Sequence, residues 1–259
     1  GSEMCIRDSG GGTVVVDKGT YTSTGYNSPA VYSTANVTVK NATLNAENSE
    51  ALVIEGQNSI TLENTNVTGN MSSTKGSSSD NNVHNVMIYQ SMSGDAESGT
   101  ATFTMKGGTL TGRNGDQIYV TNTHSVITLE DVTITNQDTS GRLLAVLGND
   151  ATRGWGTAGA NGGQVELATT NQTLTGAIEV DTVSTLNFTM GKGTNFTGTI
   201  NIVENAEGGT AVDNNAVITV EEGATWTLTG NVKITSLTNK GTINLNGYTI
   251  TLADGTVLK

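Results

Sequence analysis

Few residues in this chain have types and spacings that could do chemistry. Glu179 and Asp181 stand two apart in the run Ile178-Glu179-Val180-Asp181, so on an extended strand both carboxylates leave the same face. Such a pair is a weak calcium hint, and its plainer reading is a solvated acidic edge. Tyr89 ends an apolar run, Tyr119 sits between Ile118 and Val120, and Trp155 follows Arg153 in a glycine-rich stretch. Alternation turns Tyr119 away from its apolar neighbours, so its ring is expected to be exposed. Trp155 either plugs its own loop onto the chain below or offers its ring to a sugar, with Arg153 beside it. The candidate ligand-binding residues are therefore Tyr89, Tyr119, Arg153, Trp155, Glu179 and Asp181.

No catalytic set accompanies them. Cleavage of an acidic polysaccharide calls for a calcium-binding acid cluster with a Lys or Arg base, or for two carboxylates about 5–10 Å apart. Glu55 is a further outward acid, but it lies several repeats from Glu179 and Asp181. His84 and His124 show no metal-like spacing and read as surface histidines. The single cysteine, Cys5, lies in a start (GSEMCIRDS) that matches nothing downstream, so the body offers no disulfide, thiolate metal site or cysteine nucleophile. No cofactor is expected, with calcium as the weak exception.

The elements that must position these residues are written in a recurring ten-residue phrase. Residues 37–46 (VTVKNATLNA), 60–69 (ITLENTNVTG), 103–112 (FTMKGGTLTG) and 127–136 (ITLEDVTITN) are close copies, and looser ones begin at Val165, Leu186, Ile218 and Ile243. Each is an apolar/polar/apolar triplet, a polar or glycine corner, and a Thr-apolar-Thr triplet. Between copies lies another short apolar strand, as in Leu52-Val53-Ile54 or Ile118-Tyr119-Val120. Three short strands per repeat, with Gly and Asn at the corners, define a parallel β-helix, a solenoid in which every coil rests on its neighbours. At about 4.8 Å per coil, eight coils make a rod of roughly 40 Å. Val39, Leu62, Met105, Leu129, Leu167, Phe188, Val220 and Leu245 are expected to stack as one interior ladder. Leu44, Val67, Leu110, Ile134, Leu174, Phe196, Leu228 and Ile250 are expected to form a second. The insertions at 70–84, 91–100, 148–163 and 204–217 all adjoin the second apolar strand, so loops should gather on one side, where solenoids carry function.

Composition agrees. Of 259 residues, 33 are Gly and 1 is Pro, while only 14% are charged and 4% aromatic, which suits a thin aliphatic core. A net charge of −12 disfavours nucleic acid and anionic lipid partners and repels polyuronates. No apolar run is long enough to span a membrane as a helix. Residues 1–9 read as a tag- or adaptor-like artefact, leaving 10–259 as one domain whose abrupt first coil suggests truncation. A monomer is expected. The Thr-x-Thr triplets also suggest the hydroxyl lattice of ice-binding solenoids, although thereby Thr serves the plainer purpose of keeping a sheet soluble.

Residues 85–96 (NVMIYQSMSGDA), 153–159 (RGWGTAG) and 225–230 (TWTLTG) resemble a family of right-handed parallel β-helix proteins, surface-exposed or secreted, from gut Firmicutes. The resemblance runs from about Gly12 to Lys259. It implies an all-β, single-stranded right-handed parallel β-helix and an extracellular, adhesin-like setting, and it carries over no catalytic residue. The expected function is a non-enzymatic adhesin or scaffold that contacts a polysaccharide, surface glycan or protein through its loop-bearing face. The alternatives are a polysaccharide-active enzyme of the pectate-lyase-like class and an ice-binding solenoid.

Overall fold

The computed structural model describes residues 12–74, 82–91, 94 and 96–259. The tag-like residues 1–9 and parts of the insertions at 70–84 and 91–100 lie outside them. Among the described residues there is no helix, and the chain passes repeatedly between two long sheets in a solenoid-like path. In the first sheet, Thr13–Asp17, Asn36–Lys40, Ser59–Gly69, Thr100–Gly112, His124–Glu130, Gln164–Thr170, Thr185–Met190, Ala216–Val220 and Ser236–Asn239 pair in that order, all parallel. In the second, Val31–Ser33, Leu52–Glu55, His84–Tyr89, Asp116–Thr121, Leu144–Val146, Thr173–Asp181, Asn195–Val203, Val232–Ile234 and Ile250–Leu252 do the same. An antiparallel strand, Val257–Leu258, closes the far edge on Ile250–Leu252.

The phrase folds this way because its β-branched residues alternate and its corners tolerate left-handed backbone. Asn41, Asn64, Asp131 and Asn171 stand at the corner between the two triplets with φ of 52°, 46°, 54° and 48°. In the copy at 103–112 that corner is Gly107-Gly108. A Cβ on Gly108 would sit 2.1 Å from the Thr65 carbonyl oxygen of the rung below, so only glycine fits.

The interior ladders differ from the expectation in a regular way. Val37, Ile60, Phe103, Ile127, Leu167, Phe188, Ile218 and Leu237 face one another in one ladder, and Val39, Leu62, Met105, Leu129, Thr169, Met190 and Val220 in the next. Leu167 and Phe188 thus belong one step earlier than expected. Thr169 turns inward instead, its hydroxyl 3.0 Å from that of Thr194. On the Thr-x-Thr strands, Phe196 is followed by Trp226 and Ile243, not Leu228, while Ile250 pairs with Val232 on the second sheet, and Leu245 packs from outside any strand. Trp226 is fully buried, stacked on Phe196 with centroids 5.9 Å apart, and its indole N–H donates to the Gly198 carbonyl at 3.1 Å.

The outward sides are equally ordered. Thr20, Thr43, Asn66, Thr109 and Thr133 form one column, and Thr22, Asn45, Thr68, Thr111 and Thr135 a second beside it. The pattern resumes above as Thr173, Asn195, Thr225, Thr242 and Thr175, Thr197, Thr227, Asn244. Across the break, the Gln172 side chain takes the place of strand pairing, accepting from the Val132 N–H at 3.0 Å and donating to its carbonyl at 2.7 Å. On the first sheet, Asp17, Lys40, Glu63, Lys106 and Glu130 face each other in sequence, with alternating sign.

Candidate binding face

The outward side of the second sheet carries the candidate site. Its central column runs Tyr32, Val53, Met87, Tyr119, Ala145, Glu179, Asn201, Lys233 and Thr251, apolar in the first half and polar in the second. The chain segments between 70 and 83, 91 and 99, 147 and 163, and 204 and 215 all flank strands of this sheet.

The apolar half is covered. Val53, Met87, Tyr89, Tyr119, Ala145 and Trp155 form a buried cluster separate from the interior core. Trp155 reaches in from the loop at 148–163 and lies 4.6 Å, centroid to centroid, from Tyr89. Tyr119 does point away from the coil interior, but it retains only 1% exposure, because that loop lies over it. The expected exposed ring is thus a buried one, and Trp155 plugs its loop onto the sheet. Arg153, two residues earlier, is exposed. His84, expected at the surface, is buried, with its ring 5.5 Å from Tyr119. His124 is the more accessible histidine, 3.1 Å from the Thr100 hydroxyl and 3.6 Å from Glu166.

Beneath the cover sits a buried carboxylate. Glu55 is 1% exposed and accepts hydrogen bonds from the Tyr32, Tyr89 and Ser91 hydroxyls, and the two tyrosine oxygens are 2.8 Å apart. Burial raises both tyrosine pKa values above the ordinary range; Glu55 adds to both and Tyr89 adds to that of Tyr32, while the hydrogen bond with Tyr32 acts the other way on Tyr89. Sequence reading placed Glu55 on the outward face but could not see that rings from rungs on either side would enclose it.

Glu179 and Asp181 leave the strand together, yet they do different things. Glu179 accepts from Arg142 Nη1 at 2.7 Å, while Arg142 also grips Asp116 through Nε at 2.9 Å and Nη2 at 2.6 Å. Burial opposes the guanidinium charge, but Asp116 and Glu179 outweigh it and hold the pKa above its ordinary value. Asp181 is buried and holds loops: one oxygen accepts from the Gly148 N–H at 2.7 Å and from Asn205 Nδ2 at 2.5 Å, the other from the Val183 N–H at 3.2 Å. The two acids therefore do not present a joint calcium site, and among the described residues no group of three or more His, Asp or Glu side chains could hold a metal ion.

Two adjoining clefts remain open to solvent. One, of about 390 Å³, is lined by Asn82, Val83, Gly115, Asp116, Ser140, Gly141, Arg142 and Glu179. The other, of about 340 Å³, is lined by Asn82, Tyr119, Leu147, Gly148, Asn149, Asp150, Ala206 and Glu207. Asn82 belongs to both and donates to Asp116 at 3.0 Å. Asp138 braces the first cleft by accepting from the Ser140 hydroxyl and the Gly115 N–H, which lower its pKa to about 2. Arg142, Asp116 and Asn82 were not singled out from the sequence. The scarcity of basic residues, 12 in all, is the one signal that could have drawn attention to Arg142. Comparison of the chain with protein-family models, curated proteins and solved structures found no match.

Proposed function

We propose that this chain is a non-enzymatic extracellular adhesin or scaffold segment, a monomeric right-handed parallel β-helix of about eight coils, that contacts a glycan through the loop-bearing side. The parallel strand paths and the resemblance noted above support the architecture and the extracellular setting. One observation carries the binding reading: two polar clefts sharing Asn82 lie side by side where the insertions flank the second sheet. Their amides and carboxylates suit sugar hydroxyls, and Tyr119 forms part of one lining. Asp116 and Glu179 are both engaged by Arg142, so neither is placed as a free acid or nucleophile. On a glycan array the parent should retain a defined set of glycans, and Asn82→Ala with Glu207→Ala should weaken that binding about tenfold, the loss of roughly one good polar contact. Equal retention by the double variant would remove the clefts from the proposal. Release of reducing ends from any retained polysaccharide would replace it with the enzyme alternative.

A second reading rests on the Thr columns. Asn45 and Asn66 do not break the Thr-x-Thr array: they occupy places in it, and Thr109 donates to Asn66 at 3.1 Å. The columns repeat about every 4.8 Å along the rod and about 6.6 Å across it, with mostly stiff β-branched side chains and no charge, which favours adsorption to ordered water. Thermal hysteresis abolished by Thr111→Arg is the result this ice-binding reading requires. Hysteresis no greater than that of an unrelated protein of equal size ends it.

A further inference from the structure

We infer that residues 150–160 form a detachable cap, and that Trp155 occupies in cis an aromatic subsite that a pyranose ring takes when the cap lifts. The inference rests on the glycan reading of this face and deepens it. Three observations carry it.

The first is that the loop has an anchorage in which the indole takes no part. The loop is pinched at its neck, where Asn161 Oδ1 accepts from the Asn149 N–H at 3.1 Å and Asn161 Nδ2 donates back to the Asn149 carbonyl at 3.0 Å. The Asn122 N–H ties the neck to the sheet through the Asn161 carbonyl at 2.9 Å. None of these bonds needs the indole, so the loop keeps its root when its head moves; the one neck bond given up is that from Asn161 Nδ2 to the Trp155 carbonyl at 2.8 Å.

The second is that the indole is carried between glycines. Trp155 stands between Gly154 and Gly156, with φ of +75° and +74°, and Ala151 and Gly159 are also left-handed. What the indole buries is a satellite cluster outside the main core, so lifting it leaves the interior ladders intact.

The third is that the surface beneath is already built to receive a flat apolar face. The Tyr89 hydroxyl is bonded to Tyr32 and Glu55, which fixes its ring before any ligand arrives, and Tyr119, in the same buried cluster, borders the open cleft from beneath the cap. A glycan entering that cleft reaches the neck of the cap at Asn149 and Asp150. Continuing along the column, it meets Tyr89 only by displacing Trp155, exchanging a tilted indole–tyrosine contact, its planes 56° apart, for a sugar–tyrosine contact. Asp150 and Glu207 in the cleft favour a neutral glycan over a polyuronate.

The test uses the full chain and cellohexaose, a neutral β-linked hexasaccharide, with an oligogalacturonate of equal length as the charge control. Trp155→Ala removes the resident ring, so it should bind cellohexaose about tenfold more tightly than the parent, because no internal competitor is left to displace. Trp226 is sealed in the core, so in the parent any ligand-dependent rise in acrylamide quenching reports Trp155 leaving its seat. Hydrogen exchange should show 150–160 opening faster than His84–Tyr89 and Asp116–Thr121 in the parent, with those strands still protected in Trp155→Ala. Unchanged or weaker cellohexaose binding by Trp155→Ala overturns the subsite, and so does tighter oligogalacturonate binding. Exchange in 150–160 as slow as in the strands, or loss of strand protection in the variant, overturns the cap. Should Trp155→Ala prove difficult to produce, Trp155→Leu keeps apolar cover without a ring and should show a smaller gain. Weaker cellohexaose binding by Glu207→Ala, together with equal binding by the parent and Trp155→Ala, would support the cleft and overturn the subsite, which keeps the two proposals distinguishable.

Discussion

Glu55 shows how an acidic side chain can be buried on the outward side of a sheet by hydroxyl donors. Three hydroxyls converge on its carboxylate, from Tyr32 one rung below, Tyr89 one rung above and Ser91 beyond it. The arrangement has a pH consequence with a definite sign. Both tyrosines have folded-state pKa values above the unfolded value of 10.0. Their contribution is fully present below that value, and it is lost as pH rises beyond it, since the unfolded chain then releases protons that the folded one keeps. Melting temperature should accordingly hold between neutral pH and the tyrosine range and fall above it. In Tyr89→Phe the alkaline fall should be shallower, and an equally steep fall in that variant would show that the cluster does not set it.

At the scale of the element, the break between Thr133–Asn136 and Thr173–Asp181 is spanned by a side chain. Gln172 is fully buried and pairs with both backbone groups of Val132. Gln172→Ala should leave those groups without partners and cost about 2 kcal/mol in urea denaturation, a typical penalty for orphaned buried backbone. A loss within a few tenths of that of an exposed Thr→Ala change would mean water replaces the amide. The same region shows what could be read from sequence. Strict alternation placed apolar residues inside and Thr outside throughout the four close copies. It failed where a polar residue turns inward: Thr169 sits in the ladder, and reading by hydrophobicity alone moved Leu167 into its place. It likewise chose Leu228 over Trp226, because pattern alone cannot tell which of two apolar residues in one triplet pairs with the rung beneath. The cover on Tyr119 was out of reach for another reason. Alternation states which side of a strand a residue leaves, and not what a loop some thirty residues later does above it.

For the whole molecule, contacts are between successive rungs, so stability should be local along the rod. Phe196 lies between Phe188, 6.2 Å away, and Trp226, 5.9 Å away, in the upper coils. Phe196→Ala should cost about 4 kcal/mol. Its effect should also be graded: hydrogen-exchange protection should fall most in Thr173–Asp181 and Asn195–Val203 and least in Asn36–Lys40 and Ser59–Gly69. A uniform drop over all rungs would show a single cooperative unit instead. The location of the candidate site fits this scheme. The clefts and the cap lie midway along the rod, supported by rungs on both sides, and not at an end where a coil has one neighbour.

The column Asp17, Lys40, Glu63, Lys106, Glu130 contributes little as individual ion pairs: Lys40 and Glu63 are 3.0 Å apart, as are Lys106 and Glu130, but all four side chains are solvent-accessible. Its alternation nevertheless gives the rod a parity. Excising the rung that carries Glu63 would set Lys40 against Lys106, whereas excising two adjacent rungs returns opposite signs to contact. Rung number along this edge is thus free to change in pairs and is penalised when it changes singly, a counting rule written in charge on a surface that otherwise repeats without distinguishing odd from even.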